Sequence, residues 1–211
     1  MEPLISSSPK SISPAFDLIA KDEKKYTRKS PLETNILTNQ KITGRNSEKD
    51  IRHIEINLEE SGLKYTPGDS LGVWFKNDEI LAHKILSCLK IDANEIIFSK
   101  ENEPLTILDA LIYEFEITQL HPGFVKKYAE LTNNSELIGI SNDKEKLNNF
   151  ISNKQIIDLI IEYPSTISSR QLKDLLRKLT PRLYSIASSQ NEVEDEVHLT
   201  VGVVQYQELG F

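Results

Sequence analysis

Hydrophobic and polar residues alternate from Ile51 to Leu58, "IRHIEINL", with Ile54, Ile56 and Leu58 on one side and His53, Glu55 and Asn57 on the other. Successive side chains of a strand point to opposite faces, so this stretch predicts a half-buried β-strand. "ILTNQKIT" before it is strand-like, and "GRNSEKD" between the two carries the turn residues of a hairpin-type connection. In "YTPGD", Tyr65 to Asp69, Pro67 fixes φ and Gly68 accepts a positive φ, the requirements of a type II turn. A third strand is expected over "SLGVWF", and its lack of alternation predicts burial on both faces.

After Phe75 the pattern becomes helical. "NDEILAHKILSCLK" offers Asn77 as N-cap, with Asp78 and Glu79 where a helix dipole favours acids. "TILDALIYEF" pairs Thr106 with Asp109 as a capping box and sets Leu108, Leu111, Ile112 and Phe115 in one stripe. "SRQLKDLLRKL" repeats the arrangement, with Ser168 and Gln171 as the box and Leu172, Leu175, Leu176 and Leu179 as the stripe. Further helices are expected over "GFVKKYAEL", "DKEKLNNF" and "KQIIDLIIEY", the last stopped by Pro164. These leucine stripes read as core.

Strands return in "RLYSIAS" and, after the polar loop "SQNEVEDE", in "EVHLTVGVVQY". In the latter Val197, Leu199, Val201 and Val203 share one face, while His198, Thr200, Gly202, Val204 and Tyr206 share the other. A hydroxyl, a bare backbone and a ring on that second face suit a flat or close-fitting neighbour. A block of helices between strands, in place of helices alternating with them, predicts an antiparallel β-barrel plus α: residues 34–76 and 180–211 form the barrel and 77–179 a helical insertion. Residues 1–33, rich in Ser, Pro and Lys without a steady period, read as a flexible linker. Five strands leave an edge open, so the chain's end soon after a valine-rich strand looks like a cut.

A chain of 211 residues can bury a full core. Its formal charge of -7 argues against a general nucleic-acid or anionic-membrane surface, so a bound anion must be held locally. Cys88 is alone, no stretch approaches the roughly 18 to 20 apolar residues of a membrane helix, and the N-terminus lacks a signal-peptide pattern. A soluble protein of a reducing cytosol is expected. His53, His83, His121 and His198 are dispersed, so no metal site and no catalytic residue is predicted. There is no nucleophile elbow, no G-x-G-x-x-G and no Walker sequence.

"PRLYS" remains. Alternation puts Arg182 and Tyr184 on one face, about 6 to 7 Å apart by strand geometry. A guanidinium matches phosphate oxygens and a tyrosine ring stacks on a planar heterocycle, a pairing that suits a dinucleotide such as a flavin. The same residues also describe an edge arginine paired with an acid beside a half-buried tyrosine, the plainer reading of five residues alone.

The strings "TPRLYSIASSQNEVEDEVHLTVGVV" and "NQKITGRNSEKDIRHIEINLEESGLKYTPGDSLGVW" closely resemble the ferredoxin-reductase-type FAD domain of the flavoprotein (alpha) subunits of NADPH-dependent sulfite reductases. More broadly they resemble the diflavin reductases, which include cytochrome P450 reductase. The resemblance runs from about Asn35 to Phe211, with residues 77–179 in the place of the family's connecting domain. It implies an FAD site in which Arg182 holds the pyrophosphate, Tyr184 stacks on the isoalloxazine, Ser185 hydrogen-bonds near the reactive flavin nitrogen and Leu183 contributes main chain. Thr200, Val201, Gly202 and Tyr206 match a second contact segment, Thr118 of "FEIT" a third, and Ser152 a further position where the local residues differ.

In the full-length family FMN and NADPH bind in domains for which this sequence carries no match, and a Gly-Gly-x-Ser segment completes the pyrophosphate clamp. The chain is therefore expected to be a fragment or a shortened gene product that alone binds FAD weakly or not at all. The implied activity is electron transfer from NADPH through FAD and FMN to a hemoprotein (beta) subunit that reduces sulfite to sulfide. The family also implies a homo-oligomer. Another diflavin reductase, or a non-catalytic remnant, fits the same residues.

Overall fold

The computed structural model describes residues 26–27, 30–99 and 103–204. Three strands come first, β1 (Ile36–Lys41), β2 (Asp50–Asn57) and β3 (Ser70–Val73). A helical block follows: α1 (Glu79–Leu89), α2 (Ile107–Tyr113), α3 (Pro122–Thr132), α4 (Ser135–Asn142), α5 (Lys144–Ser152), α6 (Ile156–Glu162) and α7 (Ser169–Leu175). Two small antiparallel ribbons sit within it, β4 (Ile96–Phe98) with β5 (Pro104–Thr106) and β6 (Phe115–Glu116) with β7 (Arg177–Lys178). The described chain closes with β8 (Arg182–Ser185), the single helical turn α8 (Gln190–Val193) and β9 (Glu196–Val203).

The strands expected in one barrel form two antiparallel sheets, β1-β2-β9 and β3-β8, and among the described residues they do not close. An isolated bridge between Ile186 and Leu199, with Ala187 N donating to His198 O at 2.8 Å, joins the end of β8 to β9. Register follows the alternation read from the sequence: Ile54 faces Leu199 and Ile56 faces Val197, so the apolar positions of β2 and β9 turn inward together. With Leu58 and Ile186, the residues Ile56, Val197 and Leu199 form a small buried cluster.

The helical block has its own larger core, in which Ala82, Leu86, Leu111, Tyr128, Leu159 and Leu172 are fully or almost fully buried. Burying each such leucine stabilises by about 1.5–3 kcal/mol. The expected stripes are present, with Leu111, Ile112, Phe115, Leu172, Leu175 and Leu179 buried and Leu108 and Leu176 half-buried. Ser168 and Gln171 complete their capping box, and Thr106 Oγ1 accepts from Asp109 N at 3.0 Å.

Several expectations are corrected. Asn77 is not the cap of α1: Asp78 is, accepting from Leu81 N at 3.0 Å, while Asn77 is buried. The carbonyls of Leu111 in α2 and Phe115 in β6 claim its amide, a tertiary demand that outweighs the local preference. The segment "SLGVWF" is a strand only to Val73, and those four strand residues alternate between exposed and half-buried positions; among the described residues β3 pairs with β8 alone. The polar loop after Ala187 contains α8, and "SELIGISN" forms α4, which the sequence pattern did not reveal. The turn at Thr66–Asp69 is as expected, with Gly68 at φ +96° and Asp69 N donating to Thr66 O at 3.1 Å.

Candidate functional site

Arg182 opens β8, opposite Val73 of β3. Its guanidinium carbon stands 5.1 Å from the centroid of the Phe75 ring, and its Nη2 lies 3.7 Å from Glu116 Oε2. The arginine side chain is 56 % exposed against 14 % for Glu116, so the cation stays open to solvent while its acid is largely shielded. Glu116 is fixed by its own loop: Oε1 accepts from Thr118 N at 2.8 Å, from Gln119 N at 3.1 Å and from the Thr118 hydroxyl. Burial pushes this carboxyl up, but those hydrogen bonds and the Arg182 charge more than offset it and hold it below the ordinary carboxylate range.

Tyr184 is half-buried and packs against the small sheet core, with Leu71 opposite it on β3. The arginine therefore has an acid and the tyrosine is partly covered, the plainer of the two readings of "PRLYS". Leu183 points the other way and is 60 % exposed, and Ser185 is exposed. Because Ile186 bridges to Leu199, Ser185 and Thr200 flank that bridge on adjoining strands.

Thr200 and Gly202 are exposed on β9, and Val201 between them is half-buried against the core. A Cβ on Gly202 would meet only Ile51 Cδ1, at an ordinary 3.7 Å, so internal packing does not demand a glycine there. Tyr206 lies outside the described residues. Thr118 stands near the arginine through Glu116, and its hydroxyl is used in that bond. Ser152 ends α5, exposed, its hydroxyl donating to Asn149 O at 2.9 Å, and nothing in its hydrogen bonding ties it to β8 or β9. Glu116 also lines a cleft of about 220 Å³ with Gln119, His121, Lys127 and Arg177. There burial, then the Arg177 charge, keep the His121 pKa low, and its Nδ1 accepts from Gly123 N at 3.0 Å.

Chemically this is a place to hold an anion with an attached flat group: an open guanidinium, a ring beside it and a strand face with a bare backbone position. Those residues fit a flavin dinucleotide's pyrophosphate and ring. Sequence reading missed Phe75 and Glu116 as the supports of Arg182. Glu116 was already inside the quoted "FEIT", and its loop hydrogen bonds were the missing signal.

The family described as FAD binding domain matches residues 24–210, and the chain belongs to it. Among curated proteins it is similar to the sulfite reductase [NADPH] flavoprotein alpha-component of Shewanella oneidensis, at 48% identity over 192 residues, 89% of this chain and 32% of that protein. The namesake protein of Buchnera aphidicola subsp. Acyrthosiphon pisum is 50% identical over 180 residues, 85% of this chain and 30% of the relative. That of Shewanella sp. strain MR-4 is 44% identical over 216 residues, 100% of this chain and 36% of the relative. The chain thus spans about a third of the length of these relatives. Among the described residues no helix is long and apolar enough to cross a membrane.

Proposed function

We propose that this chain is the FAD-holding part of a sulfite reductase flavoprotein, which carries electrons from NADPH through FAD and FMN to a sulfite-reducing hemoprotein. The observation that carries the reading is Arg182: a half-exposed guanidinium at the junction of β8 with the helical block, next to Tyr184 and near a strand that turns Thr200 and Gly202 outward. The names of the relatives support the same assignment.

When bound, FAD supplies the hydride and single-electron chemistry, and the protein holds and orients it. Arg182 binds the pyrophosphate, exchanging its distant acid for two phosphate oxygens. Tyr184 orients the isoalloxazine, and Leu183, Ser185, Thr200, Val201 and Gly202 lie along it. Thr118 approaches from the loop that holds Glu116, and Tyr206 and Ser152 complete the contacts. In this reading residues 34–76 and 180–211 belong to a ferredoxin-reductase-type barrel, 77–179 are the connecting domain and 1–33 the linker. The FMN and NADPH sites lie in other parts of the whole protein. Its partner is the hemoprotein (beta) subunit, it forms homo-oligomers, and it works in the cytoplasm in cysteine biosynthesis.

The test is flavin content. In the protein expressed from its complete reading frame, Arg182→Ala should retain markedly less FAD per polypeptide than His83→Ala, whose imidazole lies on an exposed face of α1. Equal flavin content in the two variants would refute the role given to Arg182, and colourless wild-type protein that ignores added FAD would refute the reading as a whole.

A further inference from the structure

We propose that the outer face of the β2–β9 pair is a binding site for a divalent transition-metal ion, zinc by the chemistry of its donors, on His53 Nε2, Glu55 Oε1 and His198 Nε2. The site does not rest on the flavin reading. Dispersed in the sequence, these residues are brought together by register: Glu55 stands opposite His198, and His53 opposite Thr200, so the two imidazoles are diagonal neighbours on one face. Their rings meet edge to face, with centroids 5.0 Å apart at 86°. One donor atom from each of the three side chains, an imidazole nitrogen or a carboxylate oxygen, lies within 4.8 Å of the other two.

A tetrahedral zinc shell, with bonds of about 2.0–2.2 Å, puts its donors about 3.3 Å apart, so the widest separation has to shrink by up to about 1.5 Å on binding. Two imidazoles and one carboxylate, with the fourth position left to solvent, are a donor set that zinc accepts readily. The platform is stiff: β2 is paired on both sides, and its opposite face is packed by Ile54 and Ile56 against the core. The donors are neither sealed nor free, their side chains being 29 % (His53), 27 % (Glu55) and 17 % (His198) exposed.

Outer support is present as well. Thr38 stands opposite Glu55 on β1, and its side chain hydrogen-bonds the carboxylate. Such outer hydrogen bonds orient metal ligands. Each Nε2 meets a carboxylate, His53 with Glu55 at 3.1 Å and His198 with Glu196 at 2.8 Å. Metal binding needs both rings in the Nδ1–H tautomer, so that Nε2 offers its lone pair. Glu55 then becomes a ligand, and Glu196 is left beside the shell as a further anionic neighbour.

The experiment is a calorimetric titration of the untagged 211-residue chain with Zn²⁺, paralleled by Co²⁺ absorption spectroscopy. One equivalent should bind with micromolar or tighter affinity, and Co²⁺ should give the intense visible bands of a tetrahedral site. Loss of an outer-shell partner alone typically costs 10–100-fold, so His53→Ala and His198→Ala should each weaken binding by at least about tenfold. Glu55→Gln, which preserves volume and hydrogen bonding and so guards against misfolding, should do the same. His83→Ala, removing a histidine 3.8 Å from Glu79 on α1, should change nothing. Absence of saturable binding, unchanged affinity in Glu55→Gln or His198→Ala, or an equal loss in His83→Ala would overturn the site.

Discussion

Arg182 Nη2 and Glu116 Oε2 lie 3.7 Å apart across the junction between β8 and the helical block, too far for a hydrogen bond and near enough for an ion pair. The carboxylate is anchored by Thr118 and Gln119, so its position depends on its own loop and little on the arginine. A pair at that distance whose cation is 56 % exposed contributes little to stability, which leaves Arg182 free to change partner at small cost.

Substitution at Glu116 should separate the two roles. Glu116→Ala strands two backbone N–H groups and a hydroxyl and should destabilise by about 1–3 kcal/mol in urea denaturation, whereas Glu116→Gln, which keeps an acceptor oxygen, should cost less. The pH dependence has a definite sign. A carboxyl whose pKa in the folded chain is below its usual 4.5 contributes stability that is complete above pH 4.5 and is lost as pH falls through the lower value. Wild-type stability should therefore drop more steeply below pH 4.5 than that of Glu116→Gln.

Asn77 ties the start of the helical block to its middle. Buried, it donates from Nδ2 to Leu111 O at 2.7 Å and to Phe115 O at 2.6 Å, and its backbone N donates to Ile112 O at 2.9 Å. Asn77→Ala leaves two carbonyls without this donor and should cost about 1–3 kcal/mol. Asn77→Asp should cost more, because it aims a carboxylate at two carbonyl oxygens. Chemical denaturation at neutral pH checks the order of the two.

Tyr128 is fully buried, its hydroxyl donates to Tyr163 O at 2.8 Å, and burial raises its pKa to about 12. A phenol with a raised pKa contributes stability that is complete below its unfolded value of 10.0 and is lost as pH rises from there through about 12. Tyr128→Phe should cost about 1 kcal/mol at pH 7 through the lost hydrogen bond. Its deficit relative to wild type should shrink as pH climbs from 10.0 toward 12, read by circular dichroism along an alkaline titration.

Tyr65 and Gln190 stitch the loop after β2 to the turn before β9. Tyr65 OH donates to Glu196 O at 2.9 Å and pairs with Ser188 Oγ at 2.7 Å, while Gln190 accepts from Tyr65 N and donates to Leu63 O at 3.0 Å. Tyr65→Phe and Gln190→Ala should each cost about 1 kcal/mol, and the double variant less than the sum of the singles, since both act on the same joint. A double-mutant cycle in urea measures the coupling.

Local rules carried much of the fold. The alternation of "IRHIEINL" and "EVHLTVGV" fixed which side chains enter the core, because a strand leaves no other choice once one face is apolar. The Ser168–Gln171 box and the Pro67–Gly68 turn were legible for the same reason: their partners lie within a few residues. Helix α4 was missed because Leu137 is its only buried residue, so its apolar stripe is faint. Asn77 was misread because a good N-cap residue was taken by carbonyls more than thirty positions away.

By itself, then, the sequence determined the longer strands and most of the helices, the faces of β2 and β9, the family resemblance and the presence of Arg182 and Tyr184 on one face of β8. Tertiary structure alone decided that Arg182 meets Phe75 and Glu116, that Tyr184 is half covered, and that His53, Glu55 and His198 converge. The reason is physical. Periodicity and capping arise from forces between near neighbours in the chain, whereas a site is made by register and packing between segments far apart in it, about which no short stretch holds information.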